Sequence, residues 1–307
     1  MKPILSVVIA NYNYGRFLET AIKSVIAQGL GDEVELIICD GGSSDNSVEI
    51  IRKYAGDLAP NTRLMPSSNR QPTTKISWWC SEHDKGQSDA FNKGFAHANG
   101  IYGCWLNADD VMPIGSLKKV VEAIKRHPSV DWFAAGTIWL DAELRVKKCA
   151  ANKGLPKWLQ RFCPSYIVGG PSSFFRLSLL QEYGAFDVDM HYAMDTDLWY
   201  RFIKHGVKLH VVNTYAWAFR IHKDSKTYTN YVPHDVTKLP RERFYDVGQL
   251  YIRYHRKMKY KKIISRVLKV IKGLNGCYLK SIIDTLRYRG KNINEVKLGD
   301  VIGFFWF

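Results

Sequence analysis

Two short runs constrain this chain more than anything else in it. Leu5-Ser-Val-Val-Ile-Ala10 and Val34-Glu-Leu-Ile-Ile-Cys39 are rich in β-branched and aliphatic residues, and each stops at a polar turn, at Asn11 and Asp40. Short apolar runs without polar alternation are expected of strands buried on both faces of a parallel sheet. Between them Phe17, Leu18, Ala21, Ile22, Val25 and Ile26 recur at helical spacing up to Gly29, which gives a helix with one apolar face. Asp40-Gly-Gly-Ser-Ser-Asp-Asn-Ser47 then offers N-cap candidates for a helix over 48–54. Strand, helix, strand, helix at this pace predicts right-handed βαβ units and an α/β fold.

After an irregular connection over 56–75, Ile76-Ser-Trp-Trp-Cys80 resumes as a strand, and a helix over 90–98 is stopped by Asn99-Gly100. The next strand, Cys104-Trp-Leu, runs directly into Asn107-Ala-Asp-Asp110. It delivers an amide and two carboxylates to the edge where open α/β sheets place their ligands. Hard oxygen ligands there suit Mg²⁺ or Mn²⁺ holding a diphosphate, while an Asx-type turn before Pro113 is the plainer reading of the same residues. A helix over 115–127 and a strand over 131–140 follow. Four strand ends, at Asn11, Asp40, Asp84 and Asp109, would thus line one crevice. No GxGxxG follows the first strand and no Walker A loop is present, so a dinucleotide-binding dehydrogenase and a P-loop enzyme are set aside.

With 46% apolar residues and 13% aromatics in 307 positions, the chain has ample material for a core and is not disordered. Its six cysteines lack CxxC or metal-finger spacing and read as buried thiols of a reducing compartment. No signal peptide or bilayer-length apolar run is visible, which predicts a cytoplasmic protein, soluble or peripheral to a membrane. The net charge of +15 is uneven: over 241–307, sixteen Lys and Arg stand against five Asp and Glu, an excess of +11.

Five segments in one order resemble glycosyltransferase family 2, with the GT-A nucleotide-sugar fold. They are Ser6-Val-Val-Ile-Ala-Asn-Tyr-Asn13, Glu35-Leu-Ile-Ile-Cys-Asp-Gly-Gly-Ser-Ser-Asp-Asn-Ser47, Glu82-His-Asp-Lys-Gly-Gln-Ser-Asp-Ala-Phe-Asn-Lys-Gly94, Leu106-Asn-Ala-Asp-Asp110 and Tyr192-Ala-Met-Asp-Thr-Asp-Leu-Trp-Tyr-Arg201. The resemblance covers roughly residues 4–225. It implies a Rossmann-like, mostly parallel sheet flanked by helices in a catalytic domain over 1–240. A nucleotide-binding half occupies about 1–112 and an acceptor half about 113–240. The basic, helical extension over 241–307 lies outside it.

Carried over by position, the resemblance implies that Tyr12, Asp40, Asp84, Asn107 and Asp109 bind the nucleotide, with Asp40 accepting from N3–H of uracil. Asp109 matches the direct ligand of a Mn²⁺ or Mg²⁺ ion, and Asn107 stands where the pattern commonly has a carboxylate. Asp195 resembles the catalytic base, although Met194 replaces the acidic neighbour often found beside it, and Asp195 is also placed to be the N-cap of its helix. Trp199 is expected in the core beneath. In Arg220-Ile-His-Lys-Asp-Ser225, His222 matches a residue that approaches the metal, while Arg220 and Lys223 are alternatives for the phosphates. The implied activity is inverting, hexosyltransferase-like transfer from a UDP-sugar to a saccharide or lipid-linked saccharide. One carboxylate acts as general base and a metal ion neutralises the leaving diphosphate.

In the tail, Ile263, Ile264, Val267, Leu268 and Ile271 share a helical face over 260–272 with basic residues around it, as for a helix lying on an anionic membrane or docked on the catalytic domain. Gly303-Phe-Phe-Trp-Phe307 could bury in either. Two other functions remain open: a non-catalytic nucleotide-sugar or carbohydrate-binding protein, and a polyprenyl-phosphate sugar transferase. Nucleic acid is not an expected partner, because the charge lies outside the motif-bearing region and no nucleic-acid module is present.

Overall fold

Both buried runs are strands, and they lie side by side. In the computed structural model, which describes residues 2–63, 76–152, 169–225 and 276–296 with helical positions at 249, 267 and 270, β1 (Leu5–Asn11) pairs in parallel with β2 (Val34–Asp40) on one side and β4 (Tyr102–Asn107) on the other. β3 (Ile76–Ser81) continues the parallel set beyond β2. The chain therefore runs outward through β1, β2 and β3, crosses back, and lays β4 against the opposite edge of β1. Such a reversal of strand order opens a crevice at the carboxyl ends of the two strands.

Helices α1 (Gly15–Ile26), α2 (Ser47–Ala55), α3 (Gln87–Ala96) and α4 (Ser116–Arg126) connect these strands and lead onward. Residue alternation within the strands explains why the sequence shows none. Val7, Ile9, Leu36 and Ile38 pack with Leu18, Ile22, Ile51, Leu117 and Val120 in one core. Val8, Ile37 and Trp105 pack with Phe91 and a second set of helices in another. Each fully buried aliphatic or aromatic side chain contributes roughly 1.5–3 kcal/mol, so both faces need apolar residues. Gly94 permits the close seating of α3, since a Cβ there would stand 2.3 Å from Val8 Cγ1.

The sheet extends further than the sequence suggests. β5 (Trp132–Leu140), β6 (Val146–Ala150), β7 (Ser173–Arg176) and β8 (Leu209–Arg220) complete an eight-stranded sheet in the order β3-β2-β1-β4-β7-β5-β6, with β8 on the free edge of β5. β7 is antiparallel to both β4 and β5, so the strands before and after residue 112 share one continuous, mixed sheet. Helices α5 (Ser178–Tyr183) and α6 (Met194–Lys204) cover the second core. There Trp199 lies fully buried between Trp105 and Trp132, at ring separations of 5.7 and 5.0 Å, so it is a core residue as expected.

The expected caps are not realised. α6 begins at Met194, so Asp195 lies in its first turn, and neither it nor Asp197 caps the helix. Asp197 is instead buried in an ion pair with Arg201, Oδ2 to Nε 2.9 Å, one helical turn on. A carboxylate there is better satisfied by a guanidinium than by a helix end it has already passed.

Of the C-terminal extension, the described part is a helix docked on the sheet. In α7 (Cys277–Tyr288), Thr285 Oγ1 accepts from the Cys149 backbone N–H at 2.9 Å and Ser281 Oγ from that of Ala151 at 3.0 Å. Tyr215 donates its hydroxyl to Asp284, which Lys280 also binds at 2.6 Å. Tyr288, Ile293 and Val296 join Val111, Ile138, Leu140 and Tyr215 in a third core. Apart from Val267 and Val270, which are helical, the residues of the expected 260–272 helix lie outside the described residues, as do Gly303–Phe307 and Cys163. The other five cysteines are buried, free thiols.

Candidate active site

At the carboxyl ends of β1 and β4 a cavity of about 510 Å³ opens, a size suited to a nucleotide-linked ligand. It is lined by Tyr12, Asp84, Asn107, Asp109 and Asp195, five of the seven residues expected at the site. Asp40 and His222 do not line it.

Asp40 lies beneath the cavity, 1% exposed, with its carboxylate fully engaged. Oδ1 accepts from Asn11 Nδ2 and Ser43 Oγ, both at 2.6 Å, and Oδ2 accepts from Ser81 Oγ at 2.6 Å and the Ser43 backbone N–H at 3.0 Å. Four donors from three strand ends make this group a knot that fixes the loops around it. Beside it Asp84 Oδ1 accepts from the Gly86 backbone N–H at 2.8 Å, an Asx-type turn rather than a cap, since α3 carries no side-chain cap. Burial raises the Asp84 pKa above its ordinary value. Tyr12, 59% exposed, stands at the mouth.

The segment after β4 is held by polar contacts to two neighbouring elements. Asn107 Oδ1 accepts from Gln87 Nε2 at 2.7 Å, while its Nδ2 donates to Asp110 Oδ2 at 2.8 Å. Asp110 is fully buried and also accepts from Trp217 Nε1 and from the Arg220 backbone N–H, both at 2.9 Å. Burial, with the adjacent Asp109 charge adding to it, pushes the Asp110 pKa well above the usual carboxylate range. The segment's backbone pairs with β8 as well, through Val111 and Ala218. These contacts leave Asp109 as the carboxylate of the segment that faces the cavity.

Asp109 Oδ2 lies 3.0 Å from Nε2 of His222, which the chain brings in from just beyond β8. The imidazole packs on Phe17 at 4.4 Å and edge-on to Tyr14, and its Nδ1 has no partner among the described residues. Tyr14 also lines the cavity, where burial and then the Asp109 charge raise its pKa to about 12. Among the described residues no group of three or more His, Cys, Asp or Glu side chains converges. The Asp109 carboxylate nonetheless suits Mg²⁺ or Mn²⁺, hard ions that one or two carboxylates can hold with substrate phosphates and water completing the shell. Arg220 packs over Phe17, 4.9 Å from the ring centre, and its Nε and Nη2 have no hydrogen-bond partner among the described residues.

Asp195 also lines the cavity and, among the described residues, is bound only within its own helix. Oδ1 accepts from the backbone N–H of Thr196 at 2.6 Å and from its hydroxyl at 3.2 Å. Oδ2 points past Gly170, where a Cβ would stand 3.1 Å from it and 3.2 Å from Trp105 Cζ2, so glycine leaves that carboxylate its space. Burial raises the Asp195 pKa above 3.8, toward the range in which a carboxylate is an effective base. Trp139, Trp217 and Phe219 form an aromatic wall of the cavity, with Phe219 5.3 Å from Trp139 and 5.1 Å from Trp217. The wall was not among the expected site residues. Its signal is present in Ala216-Trp-Ala-Phe219, where large aromatics alternate with alanine at strand period.

The profile describing Glycosyl transferase family 2 matches residues 6–184. An uncharacterised glycosyltransferase of Mycobacterium tuberculosis is 29% identical over 198 residues, covering 64% of this chain and 67% of that protein. EpsE of Bacillus subtilis, a putative glycosyltransferase, is 22% identical over 97% of both chains. A glycosyltransferase of Nostoc is 38% identical, and the match spans a third of that relative. Two solved structures share the fold: Staphylococcus aureus TarS 1–349 in complex with UDP-GlcNAc (TM-score 0.54, 17% identity, 76% of this chain and 62% of that one) and the mannosyltransferase PcManGT of Pyrobaculum calidifontis in complex with GDP-Man and Mn²⁺ (TM-score 0.53, 17% identity, 75% and 60%). Their likeness to this chain is the GT-A arrangement of a mostly parallel sheet between helices.

Proposed function

The chain belongs to glycosyl transferase family 2, and from that premise we propose that it moves a sugar from a UDP-sugar to a hydroxyl of a saccharide or lipid-linked saccharide, with inversion at the anomeric carbon. What supports this most is that Asp109 and Asp195, from opposite halves of the chain, line one cavity together with Asp84 and Asn107.

Tyr12 and Asp84 flank the nucleoside in this reading, above the frame fixed by Asp40. Asp109 and His222 would hold a Mn²⁺ or Mg²⁺ ion with the donor's diphosphate, and that ion would supply Lewis-acid neutralisation of the leaving group's charge. The aromatic wall of Trp139, Trp217 and Phe219 offers apolar surface to the sugars and excludes water. The acceptor hydroxyl donates to Asp195 Oδ2 as it attacks, and the carboxylate takes the proton as the new glycosidic bond forms. A single displacement with one base inverts the configuration.

The excess charge over 241–307 fits an acceptor met at a membrane, with the protein peripheral on the cytoplasmic face. No helix among the described residues is long and apolar enough to cross a bilayer. Calorimetry of UDP binding with and without Mn²⁺, in the native protein and in Asp109→Ala, tests the donor side. The variant is expected to lose the metal-dependent part of the affinity, and undiminished Mn²⁺-dependent binding would remove Asp109 from the site.

A further inference from the structure

Helix α7 shows two opposed faces. Cys277, Ser281, Asp284 and Tyr288, spaced by one turn each, are turned to the sheet and bound there. On the other side Tyr278, Leu279, Ile282, Ile283 and Leu286 are 42, 63, 57, 46 and 72% exposed. Leu279, Ile282, Ile283 and Leu286 follow the i, i+3, i+4, i+7 spacing of a core-facing stripe, yet the stripe faces outward. Exposed apolar residues scattered singly need no explanation, but five contiguous ones on a helix already anchored by its opposite face mark a contact surface.

We propose that the outward face of α7 is the surface by which the protein lies on an anionic membrane, an inference that rests on the reading of the acceptor as membrane-associated. Charge selects this occupant. Arg287, Arg289 and Lys291 are exposed at the carboxyl end of the stripe, while Asp284 is buried and paired with Lys280. The wider tail is strongly basic. Anionic headgroups beside the stripe would neutralise this cationic cluster while the apolar face enters the interface. At twelve residues the helix is only about 18 Å long, too short to span a bilayer and suited to lie in its interface. Held to β6 by the Cys149 and Ala151 backbone N–H groups, α7 would bring the catalytic sheet to the membrane as one unit.

The test is co-sedimentation of the full-length protein with vesicles of phosphatidylcholine alone and of phosphatidylcholine with phosphatidylglycerol. The native chain is expected to bind the anionic vesicles, less so as salt rises. Leu279→Ser combined with Leu286→Ser is expected to lower that binding at least tenfold, with unchanged thermal midpoint and unchanged UDP affinity, because both side chains are exposed and neither lines the cavity. Arg287→Gln with Arg289→Gln is expected to lower binding to anionic vesicles only.

Native-level vesicle binding by the Leu279/Leu286 variant would overturn the assignment of this face. If Lys261, Lys262, Arg266 and Lys269 changed together to Gln abolished binding at the same time, the membrane reading would survive without α7. No binding of the native chain to any vesicle would remove the membrane reading itself. A native dimer in solution that the Leu279/Leu286 variant breaks would give the face to a second copy. A fall in that variant's thermal midpoint would give it to another segment of the same chain.

Discussion

Asp40 at the end of β2 and Asp195 in the first turn of α6 are the same side chain in the two halves of one crevice, but they are treated differently. Asp40 is 1% exposed and accepts from four donors contributed by Asn11, Ser43 and Ser81. Among the described residues Asp195 accepts from Thr196 alone, with Oδ2 beside Gly170. A saturated carboxylate holds geometry and has no lone pair to spare for chemistry. One with an open oxygen and a raised pKa can take up a proton but adds little rigidity. Asp40 thus belongs to a prearranged frame, and Asp195 keeps an open oxygen in a tight, partly desolvated place.

The largest expected effect separates the two aspartates by their chemistry. Asp195→Asn keeps the size of the side chain and the acceptor toward Thr196, but cannot receive a proton. Turnover should fall by roughly 10² to 10⁴, the range for loss of a general base, while UDP affinity measured by calorimetry stays near native. Near-native turnover would mean that the comparison assigns the base to the wrong residue. Asp197→Asn offers no rescue for that outcome, because its carboxylate is buried against Arg201 rather than open to the cavity.

The next effect should appear in the opposite half and by a different measurement. Asp40→Ala leaves one buried and three partly buried donors without their acceptor, at a cost of about 1–3 kcal/mol of stability for each that neither water nor another group satisfies. A lowered denaturation midpoint is therefore expected, with donor affinity weakened even without metal because the loops carrying Tyr12 and Asp84 lose their anchor. Native stability together with lost nucleotide binding would instead make Asp40 a direct base contact, and the division into frame and reactive half would not hold.

How much of this the sequence carried depends on the region. β1, β2 and β4 were legible because strands buried on both faces have unbroken apolar runs, and the polar residues ending them located the crevice. Trp199 was legible as core because Leu198 and Phe202, and Trp199 and Ile203, recur at helical spacing on one apolar face. β6, β7 and β8 were not foreseen. β7 is four residues long, β6 has two exposed lysines among its five, and the alternation of β8 is confined to its end, at Tyr215, Trp217 and Phe219. The cap candidates failed for a related reason: Asp and Ser near a helix start resemble caps by type, but Asp195 falls inside the first turn of its helix and the helix from Ser47 starts without a side-chain cap. The saturation of Asp40 could not be read at all, since Asn11, Ser43 and Ser81 meet only through the pairing of β1, β2 and β3.

The smallest expected effect turns the same comparison into a dependence on pH. Burial makes the folded-state pKa of Asp195 higher than its ordinary value of 3.8. Below 3.8 the group is protonated in folded and unfolded chains alike, and it carries no penalty. As pH rises toward and through the folded-state pKa, the unfolded chain ionises first, so stability tied to this group is lost, and above that pKa the loss is complete. Asn does not ionise, so Asp195→Asn should be more stable than the native chain at pH 7, with the difference shrinking as the pH is lowered toward 3.8. Thermal midpoints of the two proteins across that interval measure it directly. The same shift places the acid limb of the native pH–rate profile above the ordinary carboxylate pKa, because only ionised Asp195 accepts the proton. A gap in midpoint that stays constant with pH would show that Asn stabilises by packing alone, and that the reactive half keeps its carboxylate without an electrostatic cost.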